Sequence, residues 1–393
     1  MTIEERQDSG ARRIRFGMVG GGEGAFIGAV HRIASRIDDK FTFVAGALSA
    51  TAEKARRSAA ALGLDPARSY GSYEEMAESE KARDDGIEAV AIVTPNHMHF
   101  PVAKTFLDAG FHVICDKPMT TTLSEARQLA EIAARSGKVF VLTHNYTGYP
   151  MIRQARAMVA NGDLGRIRVV VAEYAQDWLA TRAEDGGSKQ AGWRVDPQKA
   201  GAGGAIGDIG THAHNLACYV TGLKVEKLAA DLSSFVSGRR LDDDASMLLR
   251  FAARDGTAAK GMLWASQVAV GNENRLTLRV YGETGGLEWA QEEPNRLWYT
   301  PLGEPKRLLT RGGAGATAAA AAASRIPAGH PEGYLEGFAT IYSEAAELIR
   351  AAAAGRAPPE GIALPTIEDG VAGLAFVEAC VKSAKEGGAW VAL

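Results

Sequence analysis

The chain has 393 residues and a formal net charge of -3, with 47 acidic and 44 basic side chains mixed along its length. That length suggests two domains with sizeable cores, and the charge balance favours neither a nucleic acid nor a membrane surface as partner. The three cysteines, Cys115, Cys218 and Cys380, lie far apart without any CxxC spacing, which suits a reducing compartment and argues against a disulfide framework or a thiolate zinc site. No apolar run approaches the length of a membrane span, and residues 1–13 read as a polar tail without the apolar core of a signal peptide, so a cytoplasmic protein is expected.

Residues 14–19 form a short apolar strand that runs into Gly20-Gly21-Gly22-Glu23-Gly24-Ala25-Phe26-Ile27-Gly28, with a helical pattern through Ile33 and Ile37. Strand, glycine turn and helix are the context in which a backbone approaches a pyrophosphate at a helix N-terminus. The spacing is not a clean GxGxxG: Gly20 and Gly22 take the first two places, and the third falls on Ala25 or Gly28. The turn alone leaves open a merely flexible connection. A second strand (41–48) and helix (51–62) follow. The run 87–93 reads as a strand buried on both faces and ends in Thr94-Pro95-Asn96-His97-Met98-His99. A helix at 102–107 stops at Gly110, and the strand Phe111-His112-Val113-Ile114 leads into Cys115-Asp116-Lys117-Pro118. A helix at 124–135, with Ser124 as N-cap and Gly137 as C-cap, precedes a strand at 139–143. This alternation predicts a doubly wound parallel sheet.

In such sheets chemistry takes place outside the carboxyl ends of the strands, where Lys117 stands. It can hold a fixed charge over a reacting atom there, or be an ordinary loop lysine. His97 and His99 have HxH spacing, but no cysteine or paired carboxylate nearby completes a zinc site, so no metal is expected. A dinucleotide site selective for a ribose 2′-hydroxyl carries an acid at the end of the second strand. Here that place holds Leu48 or Ser49, with Lys54, Arg56 and Arg57 close behind, so a 2′-phosphate is expected to be accepted while the hydroxyl form remains possible.

Composition changes after Thr143, giving an expected division into a tail (1–13), a dinucleotide-binding domain (14–145) and a second domain (146–393). A helix at 151–160 and a valine-rich strand at 166–176, with Val169, Val171 and Tyr174 as packing residues, precede a loop at 181–204 that carries Trp193 and Arg194. Loops that long are usually functional. Gly207-Asp208-Ile209-Gly210-Thr211-His212 then opens a helix that ends at Gly222. Four residues apart on a helix, Asp208 and His212 share a face, a pairing suited to a general base tuned by a carboxylate, or to a satisfied buried histidine. His214 points elsewhere, which disfavours a shared metal. Strands follow at 225–236, 245–253, 257–268, 275–281, 287–289 and 296–299, with turns at 254–256 and 283–286. They predict a large, mainly antiparallel sheet with helices on one face and apolar alternate positions on the other. That open face predicts a homodimer or homotetramer. The alanine-rich stretch 312–323 reads as a connector, able to make a helical turn. The loop 324–334 presents His330, toward a substrate cleft or simply to solvent. Helices at 334–354 and 367–385 and a last strand at 390–391 complete the chain.

Four features occur in order: the glycine turn, TPNxxH at 94–99, DKP at 116–118 and GDIGTH at 207–212. Together they resemble the Gfo/Idh/MocA family of glucose-fructose oxidoreductases and inositol dehydrogenases, over nearly the whole chain. The departure is Asp116, where the family has Glu. The resemblance implies NAD or NADP as cofactor and oxidation of a secondary alcohol of a sugar or cyclitol, or the reverse. It implies Gly20, Gly22, Ala25, Phe26, Ser49, Lys54, Thr94, Pro95, Asn96, His99, Asp116 and Lys117 around the cofactor. Pro95 and Asn96 would line the nicotinamide side, with His99 packing at the following helix. Lys117 would bond the reacting oxygen, and His212, oriented with Asp208, would take the proton. Trp193 and Arg194 would bind the substrate's other groups, with Tyr146 and His330 as secondary candidates; the alternative for Arg194 is a surface salt bridge. A nucleotide-bound sensor without activity and a metal-dependent sugar isomerase or hydrolase are the rival classes.

Overall fold

In the computed structural model of the protein, residues 12–253 and 258–393 are described. All but the last two residues of the expected tail, and the expected turn at 254–256, lie outside them. The chain divides into two compact units: Met1–Thr120 with Ser124–Gly148 and Tyr334–Val371, and Thr121–Leu123 with Tyr149–Gly333 and Ala372–Leu393.

The first unit holds a parallel sheet of five strands, β1 (Ile14–Gly20), β2 (Phe41–Ala47), β3 (Ala89–Val93), β4 (His112–Cys115) and β5 (Phe140–Leu142), in the order β2-β1-β3-β4-β5. Every residue of β3, β4 and β5 is buried, as a sheet covered on both faces requires. The helix Tyr73–Lys81 has no counterpart in the sequence reading, because its nine residues include only Met76 and Ala77 as buried apolar groups. The legible signal was its cap: Ser72 Oγ accepts from the amide of Glu75 at 3.1 Å, the Ser-x-x-Glu pattern of a helix start. After β3 a single 3₁₀ turn (Asn96–Met98) brings the next helix forward to His99–Ala109. Ser124 lies inside the helix Leu123–Ser136 rather than capping it, while Gly137, at φ 63°, ends it as expected.

The helix Tyr334–Ala353 belongs with this unit, so one boundary at 145/146 does not describe the division. The reason is its apolar stripe. Phe338, Ile341, Tyr342, Ala345 and Ile349 recur at helical spacing and pack into the core formed by Ile14, Phe16, Val30 and Phe41. Only contact with the sheet, not distance along the chain, assigns them.

The second unit holds nine strands, β6 (Ile167–Ala175), β7 (Val225–Ser233), β8 (Asp244–Phe251), β9 (Lys260–Ser266), β10 (Arg275–Gly282), β11 (Gly285–Ala290), β12 (Arg296–Pro301), β13 (Arg307–Thr310) and β14 (Val391–Ala392). Their order is β13-β12-β11-β10-β6-β9-β8-β7-β14, and only β6 and β9 run parallel. Helices Pro150–Ala160 and Thr211–Thr221 pack on one face. In β6 that face takes Val170, Ala172 and Tyr174, so Val169 and Val171 turn to the other side. The uncovered face is more charged than the sequence pattern suggested. Leu248, Met262 and Trp298 stand there beside the ion pairs Arg279–Glu173 (2.6 Å) and Lys306–Glu288 (2.8 Å). The short edge strand β13 went unread in the sequence. The stretch 181–204 is not one open loop: it contains the helices Lys189–Arg194 and Pro197–Ala200, whose N-caps Ser188 and Asp196 accept from the amides of Ala191 and Gln198. The alanine run makes the helix Ala318–Ala323, capped by Thr317.

Candidate active site

In the first unit, the carboxyl ends of β1, β3 and β4 lie on adjacent strands. They bring the glycine turn, Thr94-Pro95-Asn96 and Asp116-Lys117 to one edge of the sheet. Gly20 and Gly21 adopt φ of 82° and 72°, which a side chain would resist. A Cβ on Gly22 would stand 2.4 Å from the carbonyl oxygen of Leu48, and one on Gly28 would stand 2.4 Å from the Cα of Gly21. Gly28 therefore fills the third glycine role, letting the helix Phe26–Ile37 close on the turn, and Ala25 is that helix's N-cap. No side chain caps the helix start, so its first N–H groups suit an anion. The residues present thus fit a dinucleotide pyrophosphate. Phe26 is exposed, and its ring stacks with that of Tyr334.

β2 ends at Ala47, and Ser49, two residues further on, is half-buried. Lys54 is half-buried on the next helix, Ala52–Ala61. Arg57 is engaged with Glu53 at 2.7 Å and with Glu23 at 3.7 Å. Ser58, unread in the sequence, braces the turn by accepting from the Glu23 amide at 3.0 Å.

Thr94 Oγ1 is buried without a hydrogen-bond partner, and Asn96, two residues further on, is buried as well. The His99 ring joins two loops: Nδ1 lies 2.7 Å from the Pro118 carbonyl oxygen and Nε2 lies 2.9 Å from that of Thr94. Burial holds this imidazole below its ordinary pKa, against the pull of the Asp116 charge. Asp116 Oδ1 accepts from the Lys117 amide (3.0 Å) and from Thr143 Oγ1 (2.9 Å). The shorter acid thus fixes the loop that presents half-buried Lys117, whose bond to Pro118 is cis. Tyr146 is buried in the 3₁₀ turn Asn145–Gly148.

In the second unit, Asp208 sits in a π-helical turn, Ile206–Gly210, and His212 sits in the first turn of the α-helix Thr211–Thr221. The wider turn alters the simple one-face expectation for residues four apart. Asp208 Oδ2 accepts from Arg194 Nε at 2.9 Å and from Gln267 Nε2 at 2.9 Å. The Arg194 guanidinium lies 4.2 Å from the Trp193 ring centroid and 5.7 Å from that of Trp178, and its Nη1 reaches Gln190. Arg194 is therefore held by Asp208 and its tryptophans. The start of the turn is anchored by Asp242, whose carboxylate accepts from the amides of Gly204 (2.6 Å) and Ile206 (2.8 Å) while burial pushes its pKa up to about 6. His212 is buried, with the Tyr174 ring centroid at 6.1 Å. His214 stacks on Phe376 at 4.3 Å, and burial lowers its pKa to about 4. Among the described residues no three His, Cys, Asp or Glu side chains group as metal ligands, and no helix is long and apolar enough to cross a membrane.

His330 is exposed, but its loop is framed from within. Buried Arg311 donates to the carbonyl oxygens of Ile326, Pro327 and His330, and Glu332 accepts from the amides of Arg325 and Ile326. Arg311, Glu332, Gln267 and Asp242 were missed in the sequence. Apart from the ion pair of Glu332 with Arg325, their partners lie 15 or more residues away or are backbone groups, and no local spacing marks them.

A parallel sheet with this glycine turn in one unit and a mainly antiparallel, open-faced sheet in the other define a dinucleotide-binding protein of two domains. Residues 14–146 match the model of an oxidoreductase family with an NAD-binding Rossmann fold, and residues 152–288 match that of the GFO/IDH/MocA C-terminal domain. The chain belongs to the GFO/IDH/MocA family. An oxidoreductase from Sinorhizobium meliloti of known structure is 60% identical, with 97% of this chain and 100% of that one covered and a TM-score of 0.89. An inositol dehydrogenase homolog from Azotobacter vinelandii, complexed with NADH and myo-inositol, is 37% identical over 100% of both chains with a TM-score of 0.92. The oxidoreductase YfiI of Bacillus subtilis is 35% identical over 97% of each chain.

Proposed function

We propose that the protein is an NAD(P)-dependent dehydrogenase that interconverts a secondary alcohol and a ketone on a cyclitol or sugar. The observation that carries this reading is the full-length similarity to the Azotobacter vinelandii homolog whose structure holds NADH and myo-inositol, together with a lysine, an aspartate and a histidine at the motif positions. Gly20, Gly22, Ala25 and Phe26 would hold the pyrophosphate. Ser49 and Lys54 would meet the adenosine ribose, and Thr94, Pro95, Asn96, His99 and Asp116 would bound the nicotinamide side. Bound there, the nicotinamide supplies hydride acceptance and donation.

Lys117 bonds the reacting oxygen and stabilises the negative charge that develops on it. The hydroxyl proton passes to the His212 imidazole, the side chain type best matched to proton transfer near neutral pH. Asp208 orients that exchange. Trp193 offers an apolar ring to a sugar face, and Tyr146, Arg194 and His330 offer polar contacts to the remaining hydroxyls. The uncovered face of the second sheet is the surface for self-association into a dimer or tetramer. Sedimentation showing only monomer at micromolar concentration removes that part of the reading.

The test is absorbance of the reduced nicotinamide with myo-inositol, other cyclitols and a set of pyranoses, with NAD and with NADP. With the active substrate, His212→Ala should lower kcat by about 10²–10⁴-fold at unchanged cofactor affinity. Lys117→Ala should be at least as damaging, and the double variant far less than additive. Near-normal turnover in His212→Ala, or no turnover with any member of the panel, sinks the reading.

A further inference from the structure

Gln267 is the first residue beyond β9, and its position is set by the backbone on both sides. Its amide donates to the Asp243 carbonyl oxygen at 2.8 Å, and its carbonyl accepts from the Leu179 amide at 3.2 Å. The residue is 2% exposed, and its side-chain amide donates to Asp208 Oδ2 at 2.9 Å. The same oxygen receives Arg194 Nε. A buried glutamine aimed at a carboxylate oxygen is a fixed, uncharged donor. Unlike Arg194, which is stacked on tryptophan rings and partly open to solvent, it cannot swing away without leaving a buried amide unpaired.

We propose that Gln267 is the positioning residue of Asp208, fixing the carboxylate's rotation through the hydrogen bond to Oδ2. This rests on the reading of Asp208 as part of the catalytic machinery. The charged groups around the pair are Arg194 on Asp208 itself, Asp242 behind the turn, Asp243 with Arg239 on the adjoining segment, and His212 four residues further on.

Two substitutions separate positioning from bulk. Gln267→Leu keeps the approximate volume and removes the donor; kcat/KM for the panel substrate should fall about tenfold or more, with NADH binding by nicotinamide fluorescence unchanged. Gln267→Glu keeps a donor only while the introduced carboxyl is protonated. Its ionised form faces Asp208 across one hydrogen-bond distance, and that like charge raises its pKa. The activity ratio of this variant to wild type should therefore be highest at acid pH and fall as pH rises. Its melting temperature should drop further below wild type over the same range, since a carboxyl whose pKa is raised in the folded state costs stability where it ionises. The melting comparison needs no substrate.

Wild-type kcat/KM in Gln267→Leu while Asp208→Asn is inactive overturns this proposal and leaves the role of Asp208 standing. A melting deficit in Gln267→Glu that does not change with pH overturns the pairing itself. Wild-type turnover in Asp208→Asn overturns the underlying reading and this proposal with it. If Gln267→Leu does not fold, recovery of activity by Gln267→Glu on acidification still decides in favour, and its absence against.

Discussion

His99 Nδ1 stands 2.7 Å from the carbonyl oxygen of Pro118, nineteen residues along the chain and on the loop of a neighbouring strand. With Nε2 at the Thr94 carbonyl oxygen, the ring ties the loop after β3 to the loop that presents Lys117. Both partners are carbonyl oxygens and only accept, so a neutral imidazole donates to one of them through its single N–H and an imidazolium donates to both. His99→Ala is expected to lower kcat about tenfold and to raise KM for the cofactor. His99→Gln, which can still donate to one carbonyl, should recover part of both. Steady-state kinetics of the two variants decides it: wild-type constants in the alanine variant would show that the loops hold their places without the ring.

Gly28 tests the packing of the dinucleotide turn. A methyl group there would meet the Gly21 backbone at 2.4 Å, and neither backbone can yield. Gly28→Ala should destabilise by about 1–3 kcal/mol, lowering Tm by several degrees, and should weaken NADH binding more than substrate binding. Ala25→Gly, at the alternative third position, should change little. Calorimetry and nicotinamide fluorescence on both variants make the comparison.

On the proposed reading Ser49 meets the ribose, and it offers no charge to repel a 2′-phosphate. Wild type is expected to accept NADP as well as NAD. Ser49→Asp should shift the kcat/KM ratio toward NAD by about tenfold, which is about 1.4 kcal/mol. Exclusive use of NAD by wild type, with a ratio unmoved by the substitution, would count against this placement of the ribose.

Stability should depend on pH through buried histidines. His31 is fully enclosed, with Nδ1 2.8 Å from the Tyr342 hydroxyl, and burial pushes its pKa down to about 4. A histidine lowered on folding contributes stability above its unfolded pKa of about 6.5, and that stability is lost as pH falls toward the folded value. His112 and His214, each lowered to about 4, act in the same direction. Asp242, raised to about 6, acts oppositely: its share is present at low pH and lost as pH rises through that value. His99 is lowered as well, and these histidines together outweigh the one raised carboxyl, leaving a net gain in stability as pH rises toward 6.5. His31→Gln, which keeps a partner for Tyr342, should reduce that slope by up to one proton, about 1.4 kcal/mol per pH unit. Chemical denaturation at pH 4.5, 5.5 and 6.5 measures it, and an unchanged slope would contradict the assignment.

The amino-acid sequence by itself determined the two sheets, since period-two and continuous apolar runs are local and each strand carries its own. It also determined the glycine turn, TPNxxH, DKP and GDIGTH, whose chemistry is written in adjacent residues, and with them the family. It did not determine which glycine closes the turn, because Ala25 and Gly28 differ only in how near another backbone passes. Nor did it place the helix Tyr334–Ala353 with the parallel sheet, or set Gln267 on Asp208 across 59 residues of chain. Those relationships exist only once strands pair. A side chain at a strand end is then carried to a turn it never neighbours in sequence, and the partner of a buried polar group is chosen by proximity in space.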